Sequence, residues 1–554
     1  MRGRQIFTQS LSLHGADKVF GNPGTTENPL LEELADHSQI EYITTLHESV
    51  AVCAAGLYAQ ASGKTAVANV HVAPGLGNAI GMMYGALKSQ VPVVVTAGQQ
   101  DTRLRLREPL LRHDLVAMAA PVCKWAAEPQ TADEMAPIMA RAFQIANTHP
   151  KGPVFVALPN NVMEQETEIA AFRHAPEVLA AAEASSVAQL ADRIVQAERI
   201  AVCPGDHVAT YNASDALAAL LKLTGADVLI DFIPARQAIS AQHPQYAGTF
   251  AANASANQAM LAPYDLVIAV GGVTMEEIWF DPAVPVSPGT TFAQIELTST
   301  LLGRTAPPDI ALVGDLTATL QALTDEIQNR ADATFAARVK AHKERLQQAS
   351  KQRQAERQAR QDKLSGRDPL APIEALSVLA EHLPQDVVIV DEAITASVDL
   401  DQAFAITDPD GFFGSRGGGI GQGLAGAIGV AAAKPDALIV AVSGDGSAMY
   451  SIQALWTAAR HNLRILFVIL ANAEYRVLKH NMDIHRQRFD APTDQPYPFM
   501  DLDRPSLEFV EMARGMGVDG RRARTAEEIG QAISEFNRGR GPYLLELVVA
   551  GKST

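Results

Sequence analysis

Short runs of β-branched and aliphatic residues alternate with longer alanine-rich segments of helical pattern over almost the whole chain. Such alternation predicts parallel sheets covered by helices. Strands are expected at 40–45, 65–70, 91–97 and 154–158, then at 200–203, 227–230, 266–270 and 292–296. A third set is expected at 387–391, 437–442, 464–470 and 543–548. Between 331 and 368 the pattern gives way to Lys, Arg, Gln, Glu and Ala with almost no aromatic residues, which predicts a solvated helix or helical linker. The expected fold class is α/β, with three doubly wound parallel-sheet domains at 1–170, 187–330 and 371–554 and a charged linker at 331–370. No short-period repeat is visible, which leaves the first and third units free to share a fold without similar sequence.

Composition supports several packed cores. The 554 residues are 47% hydrophobic and 19% charged, at roughly 100–200 residues per domain. Forty-five basic against 62 acidic side chains give a formal net charge of -17, which disfavours nucleic acid as a partner because a polyanion is repelled. Cys53, Cys123 and Cys203 lack CxxC spacing and read as buried thiols in a reducing compartment. The first residues never form the continuous apolar run of a signal peptide, and no run of about 18 uncharged apolar residues occurs. A cytoplasmic protein without a membrane partner is expected.

Chemistry concentrates in 437–478, where a buried strand runs into Gly444-Asp445-Gly446-Ser447, a helix follows, and a second strand ends at Ala471-Asn472. In a βαβ unit both strands open onto one crevice at their carboxyl ends, which would bring Asp445 and Asn472 to the same rim. Gly444 and Gly446 belong to the turn, Gly446 lets backbone approach a phosphate, Ser447 offers a hydroxyl, and a helix start supplies unpaired N–H groups. A carboxylate with an amide oxygen is a hard donor set suited to Mg2+ beside a diphosphate. Alone, GDG reads as an ordinary turn; placed between these two strands, it resembles the thiamine diphosphate signature, with Ala471-Asn472 where Asn-Asn is usual. That resemblance implies the Glu474 carbonyl as a third metal ligand.

Glu48, where 41–47 meets an apolar helix, is the candidate for the carboxylate that such an enzyme places on the cofactor's aminopyrimidine ring, with a pKa expected to be raised by its surroundings. Together with FGNPGTTENPLL, NVHVAPGLGNAIGMMYGAL and VVVTAGQQDTR, these segments resemble benzoylformate decarboxylase and its thiamine diphosphate-dependent relatives through most of the chain. The resemblance implies pyrimidine-binding, central and diphosphate-binding domains, and a homodimer or homotetramer with each cofactor between subunits. It assigns proton transfer to His71 and a substrate-carboxylate hydroxyl to Thr25. It assigns cofactor contacts to Thr395, the Gly418 carbonyl, the wedge residue Ile420, and Tyr475. Leu111, Ile278 and Val477 join Thr25 and His71 as an implied substrate pocket.

Two departures bear on substrate. The family's second catalytic histidine, in the central domain, falls on Ile278, and its loss favours carboligation over simple aldehyde release. A basic cluster, Lys479, His480, His485, Arg486 and Arg488, with Arg103, Arg105, Arg107 and Arg112 earlier, offers sites for an anionic substrate or else a solvated surface. The reading is decarboxylation of a 2-oxo acid with thiamine diphosphate and Mg2+, releasing an aldehyde or joining it to an acceptor. An acetolactate synthase-like or 2-hydroxyacyl-CoA lyase-type enzyme is the alternative, and a non-catalytic thiamine diphosphate-binding protein a remote one. The central segment lacks a GxGxxG turn, which leaves a dinucleotide-dependent oxidoreductase poorly supported.

Overall fold

The structure is a computed structural model that describes residues 1–414 and 416–552. It contains three six-stranded parallel sheets covered by helices, and the α/β expectation is borne out. The described residues divide into two compact units. The first comprises 1–176, 364–403 and 413–554, and holds two of the sheets; the second comprises 177–363 and 404–412.

Counting strands within each sheet in chain order, the first and third sheets both run second, first, third, fourth, sixth, fifth. The same wiring thus recurs in segments without evident sequence repeat. In such a sheet the connection reverses direction between the first and third strands, and ligands of open parallel sheets bind in the crevice beyond their carboxyl ends. In the first sheet those strands are Lys18–Gly21 and Ala66–Val70; in the third they are Val388–Glu392 and Ile439–Gly444. The middle sheet runs sixth, fifth, fourth, first, second, third.

Within the first unit, helix Glu48–Ser62 packs on helix Gln422–Ala433 with backbone nearly in contact. A methyl group on Gly429 would sit 1.9 Å from the Ala54 carbonyl oxygen, and one on Gly426 would strike Leu57 at 2.2 Å. Glycine at these two places is what allows two alanine-rich helices to meet this closely. The helix carrying Glu48 is thereby fixed to the helix that follows the glycine-rich loop.

In the second unit, helix Ala333–Leu364 buries Phe335 and Val339 in the core, and Arg345 pairs with buried Asp227 at 2.7 Å. Cys53 and Cys203 are buried free thiols, whereas Cys123 is only half-buried. No described helix is long and apolar enough to cross a membrane.

Candidate active site

At the rim of the first sheet, Glu48 opens its helix as a buried carboxylate. Asn22 and Asn78 each donate an amide N–H to it, one per oxygen, both at 3.0 Å. An apolar helix predicts apolar surroundings for this carboxylate; the side chains that bond it are polar ones from Asn22, after the first strand, and Asn78, on helix Val72–Lys88. A methyl group on Gly75 would stand 3.0 Å from Glu48 Oε1, so this face is closely packed as well.

His71 precedes that same helix, directly after the third strand. Its Nδ1 lies 2.7 Å from Glu27 Oε2 and 3.2 Å from Thr26 Oγ1. Glu27 is almost wholly buried and also accepts from Gly24 N at 2.8 Å, Gly98 N at 2.7 Å and Thr26 Oγ1 at 3.0 Å. A carboxylate so placed holds the ring proton on Nδ1 and leaves Nε2 as the basic nitrogen. Nε2 has no partner among the described residues. Gly24 is required for this approach, because a methyl group there would lie 2.3 Å from the imidazole. Sequence reasoning missed Glu27. Its signal was the three-residue spacing from Gly24, which lets a glutamate reach back to an N–H at a helix start. Thr25 stands beside this group and is exposed.

At the rim of the third sheet, Asp445 is 4% exposed, and its carboxyl is pushed up to about 6 by burial, against the pull of backbone N–H groups. Oδ1 accepts from Gly446 N and Oδ2 from Ala473 N, both at 2.7 Å. Asn472 Oδ1 accepts from Glu474 N at 3.1 Å, closing a turn around Ala473, whose N–H meets Asp445. Thr395, Ser447, Asn472, Tyr475 and Val477 line one opening with Asp445. Gly446 has the Tyr475 ring against it, where a methyl group would come within 2.5 Å. A buried carboxylate with the Asn472 amide oxygen on the same opening fits a hard cation, whose charge would offset the desolvation of Asp445; Glu474 lines that opening too, its carbonyl accepting from Arg476 N at 2.9 Å. Among the described residues no three His, Cys, Asp or Glu side chains cluster as a metal site, so such a site here depends on amide and carbonyl oxygens.

The glycine-rich loop places Gly418 at φ 68° and exposed, with Ile420 half-buried after it. Gln422 closes the loop by donating from Nε2 to the Gly419 carbonyl at 2.7 Å. Leu111 is half-buried, its N–H donated to Gln100 Oε1. Ile278 belongs to the second unit and is 59% exposed.

Of the basic cluster, Lys479 and Arg486 are buried, while His480, His485 and Arg488 are exposed. Residues 479–488 lie in helix Arg476–Arg488, Lys479 is buried against Glu474 and Asp501, and Arg486 is buried with its guanidinium on Pro496 O and over the Tyr497 ring. Glu474 and Asp501, which the run of basic residues does not reveal, meet the charge of Lys479. Of the earlier arginines, Arg103 is paired with Asp101, while Arg105 and Arg107 are exposed.

Comparison with known proteins gives three consecutive family matches. Residues 1–118 match "Thiamine pyrophosphate enzyme, N-terminal TPP binding domain", 187–323 match its central domain and 395–547 its C-terminal TPP binding domain. The chain is 29% identical over 542 residues to benzoylformate decarboxylase of Pseudomonas aeruginosa, covering 97% of each. It is 27% identical over 562 residues to acetolactate synthase isozyme 2 large subunit of Escherichia coli, covering 99% of this chain and 96% of that one. Among solved structures, a thiamine diphosphate-dependent 4-hydroxybenzoylformate decarboxylase of Rhodococcus jostii matches with TM-score 0.87 and 25% identity over the whole of both chains.

Proposed function

The chain belongs to the thiamine pyrophosphate enzyme family, and from that membership we propose that it decarboxylates a 2-oxo acid, releasing an aldehyde or joining the acyl-derived fragment to an acceptor. The observation that carries this reading is the pairing of His71 Nδ1 with buried Glu27, which leaves Nε2 free to move a proton at the substrate oxygen or carbon. Benzoylformate decarboxylase and 4-hydroxybenzoylformate decarboxylase among the relatives point to a 2-oxo acid as substrate class.

When bound, thiamine diphosphate supplies the carbon nucleophile and the electron sink. The protein's share is to orient it and handle protons. Glu48, held at both oxygens by Asn22 and Asn78, would take and return a proton at the aminopyrimidine ring. Asp445, Asn472 Oδ1 and the Glu474 carbonyl would hold Mg2+, and Thr395 and Ser447 would meet the diphosphate. Ile420 and the Gly418 carbonyl would set the ring's angle. Thr25, exposed beside His71, would bond the substrate carboxylate. Because the family resemblance implies sites between subunits, a homodimer or homotetramer is part of the proposal.

A second reading, an acetolactate synthase-like carboligase, is favoured by Ile278 standing where a proton-donating histidine is expected, and by the Escherichia coli relative. A panel of 2-oxo acids, with and without aldehyde acceptors and with products resolved by mass spectrometry, separates the two. Free aldehyde, or hydroxyketone formed only with an added aldehyde, supports the first, and hydroxyketone formed from 2-oxo acid alone without free aldehyde supports the second.

A further inference from the structure

Glu392 is the last residue of strand Val388–Glu392 and is 5% exposed, at the point where the third sheet reverses direction. Its Oε1 accepts from Gly421 N and Gln422 N, both at 2.8 Å, and its Oε2 from Gly423 N at 3.0 Å. A longer contact, 3.5 Å, joins Oε2 to Ser443 Oγ, on the neighbouring strand one residue before Gly444. One carboxylate thus takes three consecutive N–H groups at the start of helix Gln422–Ala433, groups that have no partner inside the helix. Because those N–H groups are met internally, this helix end is not open to a ligand anion.

The glycines around Glu392 follow from the same contact. A methyl group on Gly423 would lie 2.7 Å from Glu392 Cβ, and Gly421 has φ 104°, a conformation that favours glycine. Three segments near the candidate cofactor site meet at this side chain. Glu392 leads directly into 393–396, whose Thr395 lines the opening; it binds the backbone that follows Gly418 and Ile420; and it touches the strand end that delivers Gly444 and Asp445.

We propose that Glu392 is a positioning residue that holds the glycine-rich loop, the 393–396 turn and the Gly444–Ser447 turn in register around the cofactor. The proposal rests on the thiamine diphosphate reading above. Its bonds are all to the protein, and it acts through Gly418, Ile420 and Thr395. Burial pushes its carboxyl up to about 7, with the N–H groups of Gly423, Gln422 and Gly421 pulling the other way, so its stay in the interior depends on those bonds.

Glu392→Gln tests this with nearly unchanged shape. An amide has one acceptor oxygen, so its NH2 group would face N–H donors and the bond set could not be completed. Thiamine diphosphate binding to apoenzyme in Mg2+ is measured by calorimetry, with near-ultraviolet circular dichroism of the bound cofactor and thermal unfolding alongside. The expected result is binding weakened at least about 10-fold and a changed cofactor dichroism band, with a smaller loss for Glu392→Asp, which keeps the charge one methylene short. Glu392→Asp carries the test should Glu392→Gln not fold. Binding within about twofold of wild type and an unchanged band, whatever the unfolding temperature, would overturn the proposal in favour of a purely structural role. Failure of the wild type to bind thiamine diphosphate would instead overturn the underlying reading, and this one with it.

Discussion

His71 Nδ1 lies 2.7 Å from Glu27 Oε2, and the carboxylate that orients the ring is itself fixed by two backbone N–H groups and a hydroxyl. A ring held in this way keeps one tautomer and presents Nε2 in one direction. His71→Ala is expected to lower kcat by about 10^2–10^4-fold, the usual share of a proton-transfer group. Glu27→Gln retains the shape but weakens the hold on Nδ1 and is expected to lower kcat by about 10-fold or more. Steady-state kinetics with calorimetric cofactor binding checks both, with affinity for thiamine diphosphate staying within about twofold. A fall in affinity matching the fall in kcat would move the pair from proton handling to cofactor binding.

Asp445 is the carboxylate of the proposed Mg2+ site. Asp445→Ala is expected to abolish Mg2+-dependent retention of thiamine diphosphate on gel filtration, with folding kept as judged by circular dichroism. Retention equal to wild type would remove Asp445 from the metal site.

Glu296 provides a pH test away from the cofactor. It is fully buried at the end of strand Thr291–Glu296, where burial pushes its carboxyl from the ordinary value to about 8 while Gly272 N and Gln294 Nε2 pull it down. Because the folded value is raised above the unfolded one, the stability it contributes is full below about pH 4.5 and is lost as pH rises through about 8. Thermal unfolding of wild type should therefore decline between pH 5 and pH 9 more steeply than that of Glu296→Gln, which keeps an acceptor for Gly272 N. Parallel profiles would contradict the assignment.

Ile278→His places an imidazole where the family resemblance expects an acid. If the missing acid controls partitioning, the ratio of free aldehyde to carboligation product should rise in the variant, as read by mass spectrometry. An unchanged ratio would discard that explanation of the substitution.

Long β-branched runs such as 154–158, 227–230, 266–270 and 543–548 were legible because a strand buried in a parallel sheet has few polar positions to blur it. The strands at Tyr246–Thr249, Ile310–Val313 and Asp519–Ala523 were not, since they lie at sheet edges or are half-exposed and read as loops. In the site, Asp445 and Asn472 stood out because turn residues bracketed by two buried strands are distinctive. Glu27 and Glu392 did not, because the meaning of a buried carboxylate lies in backbone N–H groups brought to it from elsewhere in the chain. The basic run at 479–488 left an anion site and a solvated surface both open for the same reason: that Lys479 is met by Glu474 and Asp501, and Arg486 by the Pro496 carbonyl, depends on residues that folding brings to them.

The central claim is tested most directly by carbon dioxide release from a panel of 2-oxo acids, measured on purified protein with thiamine diphosphate and Mg2+, with each omitted in turn, and with Glu48→Gln in parallel. The account predicts release from at least one 2-oxo acid that requires both additions and falls by about 10^2-fold or more in Glu48→Gln. Release that persists unchanged in Glu48→Gln, or no release from any 2-oxo acid by cofactor-loaded wild type with or without an aldehyde acceptor, would contradict it.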